Sequence, residues 1–179
     1  MGRQYQTIST ELANFIDRQQ LFFVATASDD SRVNVSPKGM DSLRVLDANR
    51  VIWLNVTGSG NETAAHIRVN PRMTIMFCAF EGAPMILRLY GSARVIHPDD
   101  ADWATLYAHF NPLPGARQIF DVAVDLVQTS CGMAVPFFDY RGEREQLNQW
   151  AENKGEEGIK EYWQQKNRQS IDGLPTGMD

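Results

Sequence analysis

The sequence predicts a mainly β protein, an antiparallel barrel of six or seven strands, closed to hide its edges, with helices at its periphery. Three observations carry this expectation. Short stretches alternate apolar and polar residues with the period of two that a half-buried strand requires. Most connections between them are turn-like, rich in Gly, Pro, Asn, Asp and Ser, as hairpins demand. Hydrophobic residues make up 43% of the chain and charged ones 22%, so there is material for a core and no sign of chain-wide disorder.

The elements follow in order. Ser9 caps a helix with Glu11 in its first turn and Leu12, Phe15 and Ile16 at helical spacing. Residues 21–27 read as a buried strand and 28–31 as a turn. Residues 32–38 alternate, with Val33, Val35 and Pro37 on one face and Asn34, Ser36 and Lys38 on the other. Strands are expected at 41–46 and 51–56. Gly58-Ser59-Gly60 breaks the second, and a short helix is predicted over 61–69, ended by Asn70-Pro71. Residues 73–80 and 85–96 form a predicted hairpin around Glu81-Gly82-Ala83-Pro84. A helix follows with Trp103, Leu106, Tyr107 and Phe110 on one side, stopped by Pro112 and Pro114. Residues 119–129 alternate again, placing Phe120, Val122, Val124 and Leu126 on one face. Beyond Arg141-Gly142 the chain turns polar and helical, and an extended tail is expected from Ser170. The division is a barrel domain over 1–140 and a helical extension over 141–179, packed on the barrel or on a partner.

Charge and composition exclude several functions. With 17 basic and 22 acidic residues the net charge is −5, and no basic cluster exceeds two residues, so nucleic acid is not an expected partner. No apolar run could cross a bilayer as a helix. The first seven residues lack the apolar stretch of a secretory signal, and two cysteines make no disulfide framework; a reducing cytoplasm is the expected location. Cys131, in Ser130-Cys131-Gly132 after a strand, is expected to serve packing or backbone positioning and not as a nucleophile. The three histidines have no metal-ligand spacing, and no nucleophile elbow is present.

The strongest local signal is Gly58-Ser59-Gly60-Asn61-Glu62-Thr63, a turn that follows a strand and opens a helix. Such a turn aims several backbone N–H groups at one spot, backed by the helix dipole, which suits a phosphate. It serves equally as a plain turn with Ser59 or Asn61 as helix cap. A dinucleotide fold is not expected, because Thr63 replaces the third glycine and a hairpin follows instead of a second crossover helix.

The run from Arg32 to Ala93 resembles the pyridoxamine 5′-phosphate oxidase-like family of FMN-binding split barrels. The carrying segments are Arg32-Val33-Asn34-Val35-Ser36-Pro37-Lys38-Gly39, Val51-Ile52-Trp53-Leu54-Asn55, the loop and helix from Gly58 to Arg72, and Leu89-Tyr90-Gly91-Ser92-Ala93. The resemblance implies a split barrel, a homodimer and FMN held in a groove between barrels. It implies cofactor-binding roles for Arg32, Asn34, Ser36 and Lys38, with Arg32 or Lys38 on the phosphate. It places Trp53 and Leu54 beside the flavin ring, and Ser59, Asn61 and Thr63 at the phosphate loop. Where the family carries Ser-Arg-Lys this chain has Asn61-Glu62-Thr63, so FMN is expected to be held weakly and pyridoxamine phosphate oxidation itself is not expected. The implied function is flavin-dependent oxidoreduction of a small molecule, the alternative being a cofactor-binding protein for flavin or haem without turnover. The flavin would supply the redox chemistry, and Ser36, Lys38 and Ser130 are the polar groups nearest the implied groove.

Overall fold

The computed structural model describes residues 2–178. In chain order the elements are β1 (Arg3–Tyr5), α1 (Thr10–Asp17), β2 (Phe22–Thr26), β3 (Asn34–Lys38), β4 (Leu43–Asp47), β5 (Arg50–Val56), α2 (Glu62–Val69), β6 (Arg72–Cys78), β7 (Ile86–Ile96), α3 (Trp103–Tyr107), β8 (Ala116–Ser130) and α4 (Gln146–Lys166). The strands form one antiparallel sheet in the order β3-β2-β6-β7-β8-β5-β4, with β1 added to the far end of β8. The mainly β architecture is therefore the one that the sequence predicts, with one strand more. The extra strand is polar and exposed, which left no apolar alternation to reveal it. The barrel is also open: β3 and β4 end the order and do not pair with each other. That gap positions the site.

Alternation along β5 sorts its side chains into two cores. Val51 and Trp53 point into the barrel interior with Phe22, Phe77, Leu87 and Phe120, and α1 adds Leu12, Phe15 and Ile16 to the same cluster. Ile52 and Leu54 point outward and pack with Ile119 beneath Leu106 of α3 and Phe110. Ser9 caps α1, its hydroxyl accepting from the Leu12 N–H at 3.3 Å. The hairpin of β6 and β7 runs in register from Arg72 opposite Ser92 to Cys78 opposite Ile86.

The structure settles the direction of two apolar faces and changes two expectations. Phe120, Val122 and Val124, on the apolar face predicted for 119–129, are buried within the barrel itself. Val33, just before β3, is 72% exposed and Val35 within it 59%, because the polar face of this edge strand turns inward. Cys131 is exposed and is not a packing residue, whereas Cys78 is buried. The tail is folded, not extended: Ser170 donates to the Leu174 carbonyl at 2.9 Å and Gly173 to that of Ser170 at 3.0 Å, making a compact turn. Among the described residues no helix is long and apolar enough to cross a membrane, and no group of metal-ligating side chains is present.

Candidate functional site

A cleft of about 310 Å³ lies between β3 on one side and the end of β5 with its following loop on the other. Its size is at the low end of ligand sites, which run to roughly 300–1,000 Å³. Asn34, Ser36 and Lys38 line it from β3, since alternation points all three the same way. Ser59, Asn61 and Thr63 line it from the loop and the first turn of α2, together with Gly58, Gly60 and Glu62. Six residues singled out in the sequence thus converge on one hollow. Asn34 Nδ2 donates to Thr63 Oγ1 at 3.2 Å, and Ser36 Oγ donates to Asn34 Oδ1 at 3.2 Å, which ties the strand to the helix.

Asn61 occupies the cap position of α2 without capping it. Its amide donates instead toward the Asn167 carbonyl at 3.4 Å and the Met178 sulfur at 3.3 Å, and its Oδ1 has no partner. The helix end therefore keeps the positive character that an anion seeks. The Glu62 carboxylate lines the cleft but is engaged by the tail and the loop. One oxygen accepts from the Ile171 N–H at 3.2 Å, and the carboxylate curls over Gly60, where a Cβ would come within 2.9 Å of it.

The residue that sequence reasoning missed is Arg117. It lines the cleft and is only 2% exposed. The pairing of β5 with β8 slips at this point, Asn55 lying opposite Gln118 and Val56 opposite Ala116. Arg117 is the extra residue of the bulge, and a bulge re-aims the side chain it carries. Its Nη1 donates to Asn167 Oδ1 at 2.7 Å and its Nη2 to the Gly60 carbonyl at 3.1 Å, while Nε has no partner. It makes no ion pair among the described residues. Burial pushes its pKa down to about 10, with Glu62 opposing. Burial, and then Arg117, pull Lys38 down to about 8. Two cations thus face this cleft from strands, although the α2 loop carries none. A buried cation without an ion-pair partner is costly to keep, so the donor set fits an anionic group such as a phosphate.

Other expected residues lie elsewhere. Arg32 does not reach the cleft: its backbone N–H donates to Asp172 Oδ2 at 2.9 Å, and its guanidinium pairs with the same carboxylate in solvent. Trp53 is 1% exposed, stacked on Phe120 with ring centroids 4.7 Å apart, and Leu54 is equally buried in the outer core. Neither side chain is free to border a flavin. Trp53 instead meets a residue of the cleft, Lys38, whose Nζ lies 5.0 Å from its ring centroid. Ser130 sits at the opposite end of β8 from Arg117 and accepts from Arg88 at 3.1 Å. A larger hollow, about 750 Å³, lies between α3 and α4 and is lined by Trp103, Tyr107 and Trp163; none of the expected residues reaches it.

Comparison with known proteins agrees with this architecture. The profile of the pyridoxamine 5′-phosphate oxidase family matches residues 8–131. The pyridoxamine 5′-phosphate oxidase family protein ustO of Aspergillus flavus is 38% identical, over 96% of this chain and 76% of its own. Among solved structures, a variant of HupZ from Group A Streptococcus superposes with a TM-score of 0.56 at 22% identity, covering 69% of this chain and 99% of that one. The FAD binding protein from Mycobacterium smegmatis gives a TM-score of 0.51 at 12% identity, covering 70% and 97%. At these identities the two structures bear on the fold alone, while the family profile and the fungal relative bear on descent. By both of these the chain belongs to the pyridoxamine 5′-phosphate oxidase family.

Proposed function

We propose that this protein binds a phosphate-bearing flavin, FMN, and uses it as the redox cofactor of an oxidoreductase acting on a small organic molecule. The observation that carries this reading is Arg117: a buried guanidinium that makes no ion pair among the described residues and keeps an unpartnered Nε–H, lining a cleft that also holds Lys38 and the uncapped start of α2. The phosphate would be met by Arg117, Lys38, Ser59 and the backbone N–H groups of the loop, and the sugar-alcohol chain by Asn34, Ser36 and Thr63. When bound, the flavin supplies hydride and electron transfer; the chain fixes its phosphate and excludes water from that end. The cleft holds the phosphate half of such a ligand, and the ring is left to lie along the exposed edge of β3.

A second copy of the chain would cover that ring. Exposed Val33 and Val35 on the edge strand, and exposed Met133, Phe137 and Phe138 after β8, supply apolar surface for it. Light scattering should then report twice the chain mass.

The absorption spectrum of the purified protein, followed by titration with FMN and riboflavin, tests the reading. Flavin bands and a clear preference for FMN are expected; equal affinity for both ligands contradicts it. Reduction of the bound flavin by a nicotinamide donor with catalytic reoxidation supports an enzyme, and binding without turnover contradicts the oxidoreductase part alone.

A further inference from the structure

We infer that the C-terminal segment is a working part of the phosphate subsite, with Asn167 as the positioning residue that holds Arg117 toward the ligand. This rests on the phosphate reading above. The family profile ends at residue 131, whereas Asn167 follows α4 and is fully buried. Every polar atom of its side chain is committed to the site. Oδ1 accepts from Arg117 Nη1 at 2.7 Å, and Nδ2 donates to the Gly58 carbonyl at 3.1 Å. Its own carbonyl accepts from Thr176 Oγ1 at 2.6 Å and from Asn61 Nδ2 at 3.4 Å.

The choice of an amide has a chemical reason. Asp at this position would pair with Arg117 and cancel its charge. Asn fixes the guanidinium through one acceptor and leaves the positive charge in place; with Gly60 on Nη2, two of the five N–H groups are spent and the others, Nε–H among them, remain available. The same side chain grips the first glycine of the loop, so the loop and the cation are held in one geometry. In this chain the C-terminal segment supplies the order that a loop-borne cation does not.

Titration of FMN and riboflavin into Asn167→Ala, Asn167→Asp and Thr176→Val, with melting temperatures, tests the inference. Asn167→Ala should weaken FMN by about 10-fold, the worth of one well-placed hydrogen bond to a charged group, and leave riboflavin unchanged. Asn167→Asp keeps the acceptor, neutralises the cation, and should lower the FMN preference by a similar factor; it carries the test if the alanine variant does not fold. Thr176→Val removes the hydroxyl that holds the Asn167 carbonyl without touching Arg117, and should lower the melting temperature and reduce the FMN-to-riboflavin ratio by less than Asn167→Ala does. An unchanged ratio in both Asn167 variants, alongside a ratio lost in Arg117→Gln, overturns the positioning role alone. A wild type that does not prefer FMN overturns the phosphate reading and this inference together.

Discussion

The Arg117 guanidinium meets the Asn167 side chain at 2.7 Å across 50 residues of sequence, and both groups are buried. This contact joins the start of the longest strand to the end of the last helix, and the loop from Gly58 to Asn61 is held between them. The cleft is thus built from β3, the loop and two residues that approach from distant parts of the chain.

The charge of Lys38 gives the site a pH dependence. Its ammonium is present below pH 8 in the free protein and is lost above, because burial and Arg117 disfavour the charged form. The phosphate of FMN is a dianion across this range, its second pKa lying near 6. FMN affinity should therefore fall by up to about 10-fold between pH 7 and pH 9, with proton uptake on binding, while riboflavin affinity stays flat. Calorimetric titration at several pH values in wild type and Lys38→Met measures it. A slope that survives in Lys38→Met assigns the titration to another group.

Trp53 should behave as a core residue. Its ring stacks on Phe120 at 4.7 Å and meets Phe22 edge-on at 6.2 Å, contacts that stabilise the barrel. Trp53→Phe should cost about 1–3 kcal/mol in chemical denaturation, as substitutions that leave a partial cavity do. The fluorescence of bound flavin should not change, since no indole stacks on the ring. A marked recovery of flavin fluorescence in the variant would put Trp53 against the ligand after all.

The two thiols should separate cleanly. Cys131 is exposed, whereas Cys78 is buried and burial raises its pKa. One equivalent of a disulfide reagent should react rapidly with the native protein and the second only on unfolding. Loss of the fast phase in Cys131→Ser identifies it. A fast phase that persists in that variant contradicts the exposed placement.

The legible and illegible parts of the molecule differ for physical reasons. Alternation revealed β3 and much of β8 because they run between environments of different polarity, whereas β5, buried on both faces, reads as a continuous apolar run. The period does not say which face is wet, however. Val33 and Val35 face solvent, while Phe120, Val122 and Val124 found their partner inside the same barrel. The loop from Gly58 to Thr63 was readable because turn and cap chemistry is local. Arg117 was not, since it sits in a polar stretch at the start of β8 where the bulge breaks the period. Asn167 was also hidden, because its side chain acts on residues 50 and 109 positions away. Arg32 had the right chemistry for the site but lies just before β3, where Asp172 of the folded tail takes it.

The central claim is that Arg117 holds the phosphate of a flavin, and the most direct measurement compares FMN with riboflavin in wild type and Arg117→Gln. A hydrogen bond to a charged group is worth about 1.5–3 kcal/mol, which corresponds to roughly 10- to 100-fold in affinity. Wild type should prefer FMN by at least that factor, the preference should weaken with salt, and Arg117→Gln should abolish most of it while leaving riboflavin binding intact. Equal losses for the two ligands, or an FMN preference unchanged by the substitution, would contradict the account.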